Sequence, residues 1–216
     1  MQQDTLDASW VAGPHAALLR DPMLLLDRTG SMTWATSETD PTPRNETLHE
    51  AINVFVGELQ AEDTQARYER EGGGVRTVTF AGGSATDMGF LNLSNLRGKW
   101  DSIRWGGGTK IMPGWNLLQN AYNIEFARTS PQLRPLQIIL VVTDGEADDI
   151  LQFEETLDRD PDKYVIVACM GFGATHEALM QQFQKVQADN PRVKVVNFVG
   201  GTDPRAIAVM LKNMIL

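Results

Sequence analysis

An α/β fold is predicted by this sequence: a doubly wound, mostly parallel sheet with helices on both faces and one antiparallel edge strand. Three observations carry the prediction. Short, continuous apolar runs such as Met23–Leu26 and Leu136–Val142 read as strands buried on both faces. Between most of these runs lie segments whose apolar residues fall at helical spacing, and such alternation argues for parallel strands joined by crossover helices. One strand pair is instead separated only by Gly82-Gly83, the chemistry of a tight hairpin and so of an antiparallel edge.

Each element can be justified in order. Residues 1–20 read as an irregular leader and residues 21–216 as a single domain. The first strand ends abruptly at Asp27-Arg28-Thr29-Gly30-Ser31, which is loop chemistry. A polar stretch from Thr36 to Pro43 delays the first helix. From Asn45 onward, Leu48, Ile52, Phe55, Val56 and Leu59 line one helical face. After the turn Glu71-Gly72-Gly73-Gly74, the β-branched segment Val75–Phe80 reads as a strand, and Ala85–Leu91 returns beside it. A short helix is expected within Asn92–Ile103. A stronger one follows, with Ile111, Trp115, Leu118, Ala121, Tyr122 and Phe126 on one face and Pro113 in its first turn, where a missing N–H does no harm. The strand Leu136–Val142 ends in Thr143-Asp144-Gly145-Glu146. The remainder reads as helix Asp149–Leu157, strand Tyr164–Met170, helix Thr175–Ala188, strand Val193–Val199 and helix Asp203–Leu216. In sheets of this kind ligands bind at the carboxyl ends of the strands, which directs attention to the loops there.

Bulk properties narrow the function. The chain has 216 residues, enough for one large α/β domain and too few for two comfortable ones, and 42% hydrophobic residues to fill a core. A net charge of -9 with no long basic run opposes nucleic acid or an anionic membrane as a partner. No stretch approaches the roughly 20 apolar residues that span a bilayer. A single cysteine, Cys169, excludes an internal disulfide framework and a cysteine-based zinc site, and its apolar surroundings make it a core residue. His15, His49 and His176 match no metal or triad spacing. Without a basic, apolar secretion signal at the amino terminus, the cytoplasm is the expected location. Nothing in the sequence sets the oligomeric state.

Three loops carry chemistry. Asp27-Arg28-Thr29-Gly30-Ser31 offers one carboxylate and two hydroxyls at alternate positions, so three oxygens can turn toward one point. Gly107-Gly108-Thr109 adds a hydroxyl, with glycines that admit close backbone approach. Thr143-Asp144-Gly145 adds a carboxylate at a strand end. All donors are oxygen, which suits a hard cation: Mg2+ first, then Mn2+ or Ca2+, with water completing the shell. Hydroxyls are neutral, so at most two carboxylates offset the ion's charge. An open position on so electron-poor an ion favours a carboxylate from another molecule.

At these residues the chain resembles a known family. Leu24-Leu25-Leu26-Asp27-Arg28-Thr29-Gly30-Ser31-Met32 is similar to the Asp-x-Ser-x-Ser motif of the metal-ion-dependent adhesion site (MIDAS) of von Willebrand factor A (vWA) domains. Gly107-Gly108-Thr109 resembles the second motif of that site, and Val141-Val142-Thr143-Asp144-Gly145 the third. The three occur in the family's order over roughly Asp21 to the end. Thr29 departs from the commoner Ser but keeps the hydroxyl. The resemblance implies the Rossmann-like vWA fold and a metal contacted by the hydroxyls of Thr29, Ser31 and Thr109, with Asp27 and Asp144 bound directly or through water. It further implies a non-enzymatic module, often within an intracellular assembly, whose protein partner presents Asp or Glu to the metal.

Competing readings attach to the same residues. Asp27 and Asp144 could be turn formers, Thr29 or Ser31 a cap, and the glycines before Thr109 a plain turn. Glu146, Asp148 and Asp149 read as acids favoured by the dipole at a helix start. Trp34 and Trp105 are either interface anchors or loop packing. Gly171-Phe172-Gly173-Ala174-Thr175-His176 lacks the third glycine of a dinucleotide fingerprint. A Mg2+-dependent hydrolase of phosphatase type would need an acid/base Asp two positions after Asp27, where Thr29 stands. A metal-free scaffold of the same fold is the third alternative.

Overall fold

The computed structural model describes residues 10–11, 20–61, 73–144, 147–160, 163–198 and 203–215. Most of the expected leader, Gly145 and Glu146 of the third loop, and Val199 lie outside the described residues. Six strands form one sheet: β1 (Arg20–Asp27), β2 (Val75–Ala81), β3 (Ser84–Leu91), β4 (Leu136–Thr143), β5 (Lys163–Met170) and β6 (Val193–Phe198). Among the described residues six α-helices accompany it: α1 (Arg44–Ala61), α2 (Leu96–Asp101), α3 (Met112–Glu125), α4 (Ile150–Arg159), α5 (Gly173–Asp189) and α6 (Pro204–Ile215). The strand order is β3-β2-β1-β4-β5-β6, and every pair is parallel except β2 with β3.

The hairpin forms as expected from its glycines. Gly82 and Gly83 take φ values of 56° and 80°, the positive pair that a two-residue turn matched to strand twist requires. Further along, Thr77 pairs with Gly89 but Val78 with Asp87, which leaves Met88 as an extra residue in β3. This bulge was not visible in the alternation of the sequence. β1 starts three residues before its apolar run because Arg20, Asp21 and Pro22 stay in register with Leu136, Gln137 and Ile138 of β4.

Side-chain alternation along the central strands feeds two cores. Leu24 and Leu26 of β1 face the side covered by α1, α2 and α6, where Leu48, Ile52, Phe55, Leu96 and Ala208 are buried. Met23 and Leu25 face α3, α4 and α5, where Trp115, Leu118, Phe153, Leu179 and Phe183 are buried. Phe153 meets Trp115 and Phe183 edge-on, with centroids 5.3 and 6.5 Å away. Trp10 meets Tyr164 edge-on at 5.0 Å, so this part of the expected leader docks on the first core. At Gly114 an added Cβ would lie 2.7 Å from Leu25 Cδ1 and 2.9 Å from Phe80 Cβ, so this glycine lets α3 press onto β1 and β2. All eight residues of β4 are buried. Burial at roughly 2 kcal/mol per large aliphatic side chain makes this sheet the rigid base of the loops above it. Among the described residues, no helix is long and apolar enough to cross a membrane.

Candidate metal centre

The chain runs β1-β2-β3 toward one edge and then returns to place β4 on the other side of β1. Between β1 and β4, where the direction of winding reverses, the loops leave the sheet in opposite directions and open a crevice at the carboxyl ends. Asp27 is the last residue of β1, and Asp144 follows directly after β4. The topology therefore brings together two carboxylates that lie far apart in sequence.

Asp27 is fully buried. Its Oδ1 accepts the Thr29 backbone N–H at 2.7 Å, and its Oδ2 accepts the Thr143 hydroxyl at 2.9 Å. The first bond curls the loop back and sets up the 3-10 turn Gly30–Thr33. That turn places Thr29 Oγ1 3.2 Å from Ser31 Oγ, and Ser31 donates to Asp144 Oδ1 at 2.9 Å. Asp27, Thr29, Ser31, Thr143 and Asp144 thus form one connected network. Burial pushes the Asp27 carboxyl up to about 6; hydrogen bonds from Thr29 oppose the rise and the charge of Asp144 adds to it.

The glycine loop is pinned through its backbone. Gly106 N–H donates to Arg28 O at 2.9 Å, and Gly82 N–H donates to Gly108 O at 2.6 Å. Gly107 lies against the hairpin and takes φ 90°, a conformation that favours glycine. Thr109 is buried and its carbonyl accepts the Asp148 N–H at 3.0 Å. Among the described residues no hydrogen bond joins its hydroxyl to the other four predicted ligands. Main-chain bonds thus tie the loop before Thr109 to Arg28 and Gly82 and Thr109 itself to Asp148, whereas Asp27, Thr29, Ser31 and Asp144 are linked through side chains.

Asp149 plays a part other than the one read from the sequence. It precedes α4, but its carboxylate makes no cap bond there. Instead Oδ1 and Oδ2 accept the N–H groups of Ile111 and Met112 at 2.9 Å each, closing the amino terminus of α3 from the third loop. Asp148 is exposed. Trp105 packs on Trp100 with centroids 5.8 Å apart, so it is loop packing, while Trp34 is 65% exposed at the rim.

Arg44, the first residue of α1, was not singled out by sequence. Its Nη1 donates to Asp144 Oδ2 at 2.6 Å, a buried ion pair inside the crevice. No local pattern could have signalled it, because 100 positions separate the two residues. The histidines are structural where described. His49 packs on Trp100, burial lowers its pKa, and His176 Nε2 pairs with Asn197 Oδ1 at 2.8 Å.

The donor set fits a hard divalent cation. Among the described residues no group of three or more His, Cys, Asp or Glu is placed to hold a metal, so a site here must rest on hydroxyls as much as on carboxylates. Asp27 is held in a fully buried position by neutral donors, while the one cation in the network, Arg44, pairs with Asp144. A buried carboxylate without a counter-charge is unfavourable and is stabilised by a bound cation.

No family model and no curated protein sequence matches the chain. Solved structures do. The SpRpn10 VWA domain superposes with a TM-score of 0.60 at 13% identity, over 89% of this chain and 94% of that one. The PilB minor pilin from Streptococcus sanguinis superposes at 0.59 and 15% identity, over 92% of this chain and 61% of the pilin. Proximal thread matrix protein 1 from the mussel byssus, in a structure with a zinc-occupied MIDAS motif, superposes at 0.57 and 17% identity, over 92% of this chain and 47% of that one. The chain thus spans less than two thirds of the pilin and of the byssus protein. With its six-stranded sheet, single antiparallel edge strand and helices on both faces, the chain has the von Willebrand factor A fold.

Proposed function

We propose that this chain is a divalent-metal-dependent protein-binding module. In this reading Thr29, Ser31 and Thr109 contact the ion through hydroxyls, and Asp27 and Asp144 hold it directly or through water. The ion is Mg2+, with Mn2+ or Ca2+ as substitutes, and its open position accepts an Asp or Glu carboxylate from a partner protein. The observation that carries the reading is the Asp27–Thr29–Ser31–Asp144 network at the topological switch point, with Asp27 buried and, among the described residues, without a cationic partner. The zinc-occupied MIDAS motif of the byssus protein, on the same fold, supports it. A non-enzymatic role is part of this reading; against a phosphatase-type hydrolase it is supported by Thr29, which offers a hydroxyl where that chemistry needs an acid/base carboxylate. With a single cysteine the chain relies on no internal disulfide, and the cytoplasm is the location we propose.

One observation favours a second reading, a metal-free interaction scaffold. The Arg44–Asp144 pair gives one of the two carboxylates a counter-charge without any ion. Capture of proteins on the immobilised chain separates the two. The proposal expects a set of acidic partners retained in Mg2+ and lost both in chelator and on Ser31→Ala. A captured set indifferent to chelator and to that substitution would support the scaffold.

A further inference from the structure

The placement of Arg44 has no counterpart among the five predicted ligands, and both its backbone and its side chain are held by neighbours. Its backbone N–H donates to Trp34 O at 2.9 Å and its Nε to Ala35 O at 3.2 Å. Nη1 holds Asp144 Oδ2 at 2.6 Å, and the guanidinium carbon lies 5.9 Å from the centroid of the Phe172 ring. Gly171, after β5, leaves the room this requires: an added Cβ there would come within 3.4 Å of both Cζ and Nη2. The side chains of Arg44 and Asp144 are 9% and 0% exposed, so solvent screens the pair weakly. One oxygen of Asp144 is committed to Arg44, and only Oδ1, shared with Ser31, faces the other predicted ligands.

The charges of the described network follow. Asp27 and Asp144 contribute −2 and Arg44 +1, leaving −1. A divalent ion would bring this to +1 with Arg44 present and to 0 without it. Resting on the proposed metal-binding reading, we infer that Arg44 is a resident counter-cation that holds down the metal affinity of the site and leaves the loaded site positively charged. Such a site binds its ion modestly and completes its charge balance with an anion from outside, the partner's carboxylate. Metal and acidic partner would then bind cooperatively.

This role is opposite in sign to a merely supporting one. If Arg44 served only to orient Asp144, its removal would weaken metal binding. If it is a competing charge, removal strengthens it. Calorimetric titration of the chelator-treated full chain with Mn2+ and Mg2+ at pH 8, for the parent, Arg44→Gln and Arg44→Lys, decides. The expected result is an affinity about tenfold tighter in Arg44→Gln, the order of one removed charge at short range in a weakly screened site. Arg44→Lys, which keeps the charge, stays near the parent. If Arg44→Gln fails to melt cooperatively, Arg44→Met, whose apolar stem still packs on Phe172, carries the same expectation. Affinity unchanged or weakened in the neutral variant, with the parent binding, overturns the inference alone. Absence of binding in both the parent and the neutral variant overturns the metal-binding reading and this inference with it.

Discussion

Asp27 concentrates the chemistry of the site in one side chain. Burial raises its carboxyl to about 6, above the 3.8 of an ordinary Asp. A carboxyl whose folded pKa is raised stabilises the fold at low pH, and that contribution is lost as pH rises from about 4 through about 6. The metal-free protein should therefore lose stability relative to Asp27→Asn across this window, by about 3 kcal/mol at most, and no further above it. Chemical denaturation of both proteins at several pH values, in chelator, checks this; parallel profiles would contradict it. Asp27, Thr29, Ser31 and Asp144 were legible because each sits in a short strand-to-loop segment whose residue types announce it. Arg44 and Thr143 were not, since a guanidinium or hydroxyl acquires its role only when two distant strand ends meet.

At the level of elements, the site is held by ties between loops as well as within them. Asp149 is the clearest: by accepting two N–H groups at the start of α3 it couples the third loop to the helix that follows Thr109. Asp149→Ala is expected to cost about 1–2 kcal/mol, the usual worth of a helix cap. It should also raise amide exchange at Ile111 and Met112, which hydrogen exchange followed by mass spectrometry would detect; unchanged protection there would remove Asp149 from this role. Among the described residues, the sequence marked each strand and α-helix, because apolar runs and helical spacing are local signals, but not the 3-10 turns Gly30–Thr33 and Pro131–Leu133. It could not mark the bulge at Met88, which depends on the pairing of β3 with β2, nor which helix Asp149 closes.

For the whole molecule, strand order decides where the site lies. Alternating strands and helices imply a parallel sheet, but it is the order β3-β2-β1-β4-β5-β6 that makes β1 and β4 neighbours and brings Asp27 within reach of Thr143. The sheet so ordered buries two cores at once, one on each face, and no single segment encodes that order. A net charge of -9 surrounds a crevice whose described network retains a cation, Arg44, so an acidic partner must be drawn by the site itself and not by the surface at large. The most direct test is calorimetric titration of the chelator-treated chain with Mg2+ and Mn2+, alongside Asp27→Ala and Ser31→Ala. Saturable one-to-one binding in the parent, abolished in both variants while they still melt cooperatively, is the predicted result. Undiminished binding in the variants would contradict the site assignment, and no binding in either the parent or Arg44→Gln would contradict metal dependence altogether.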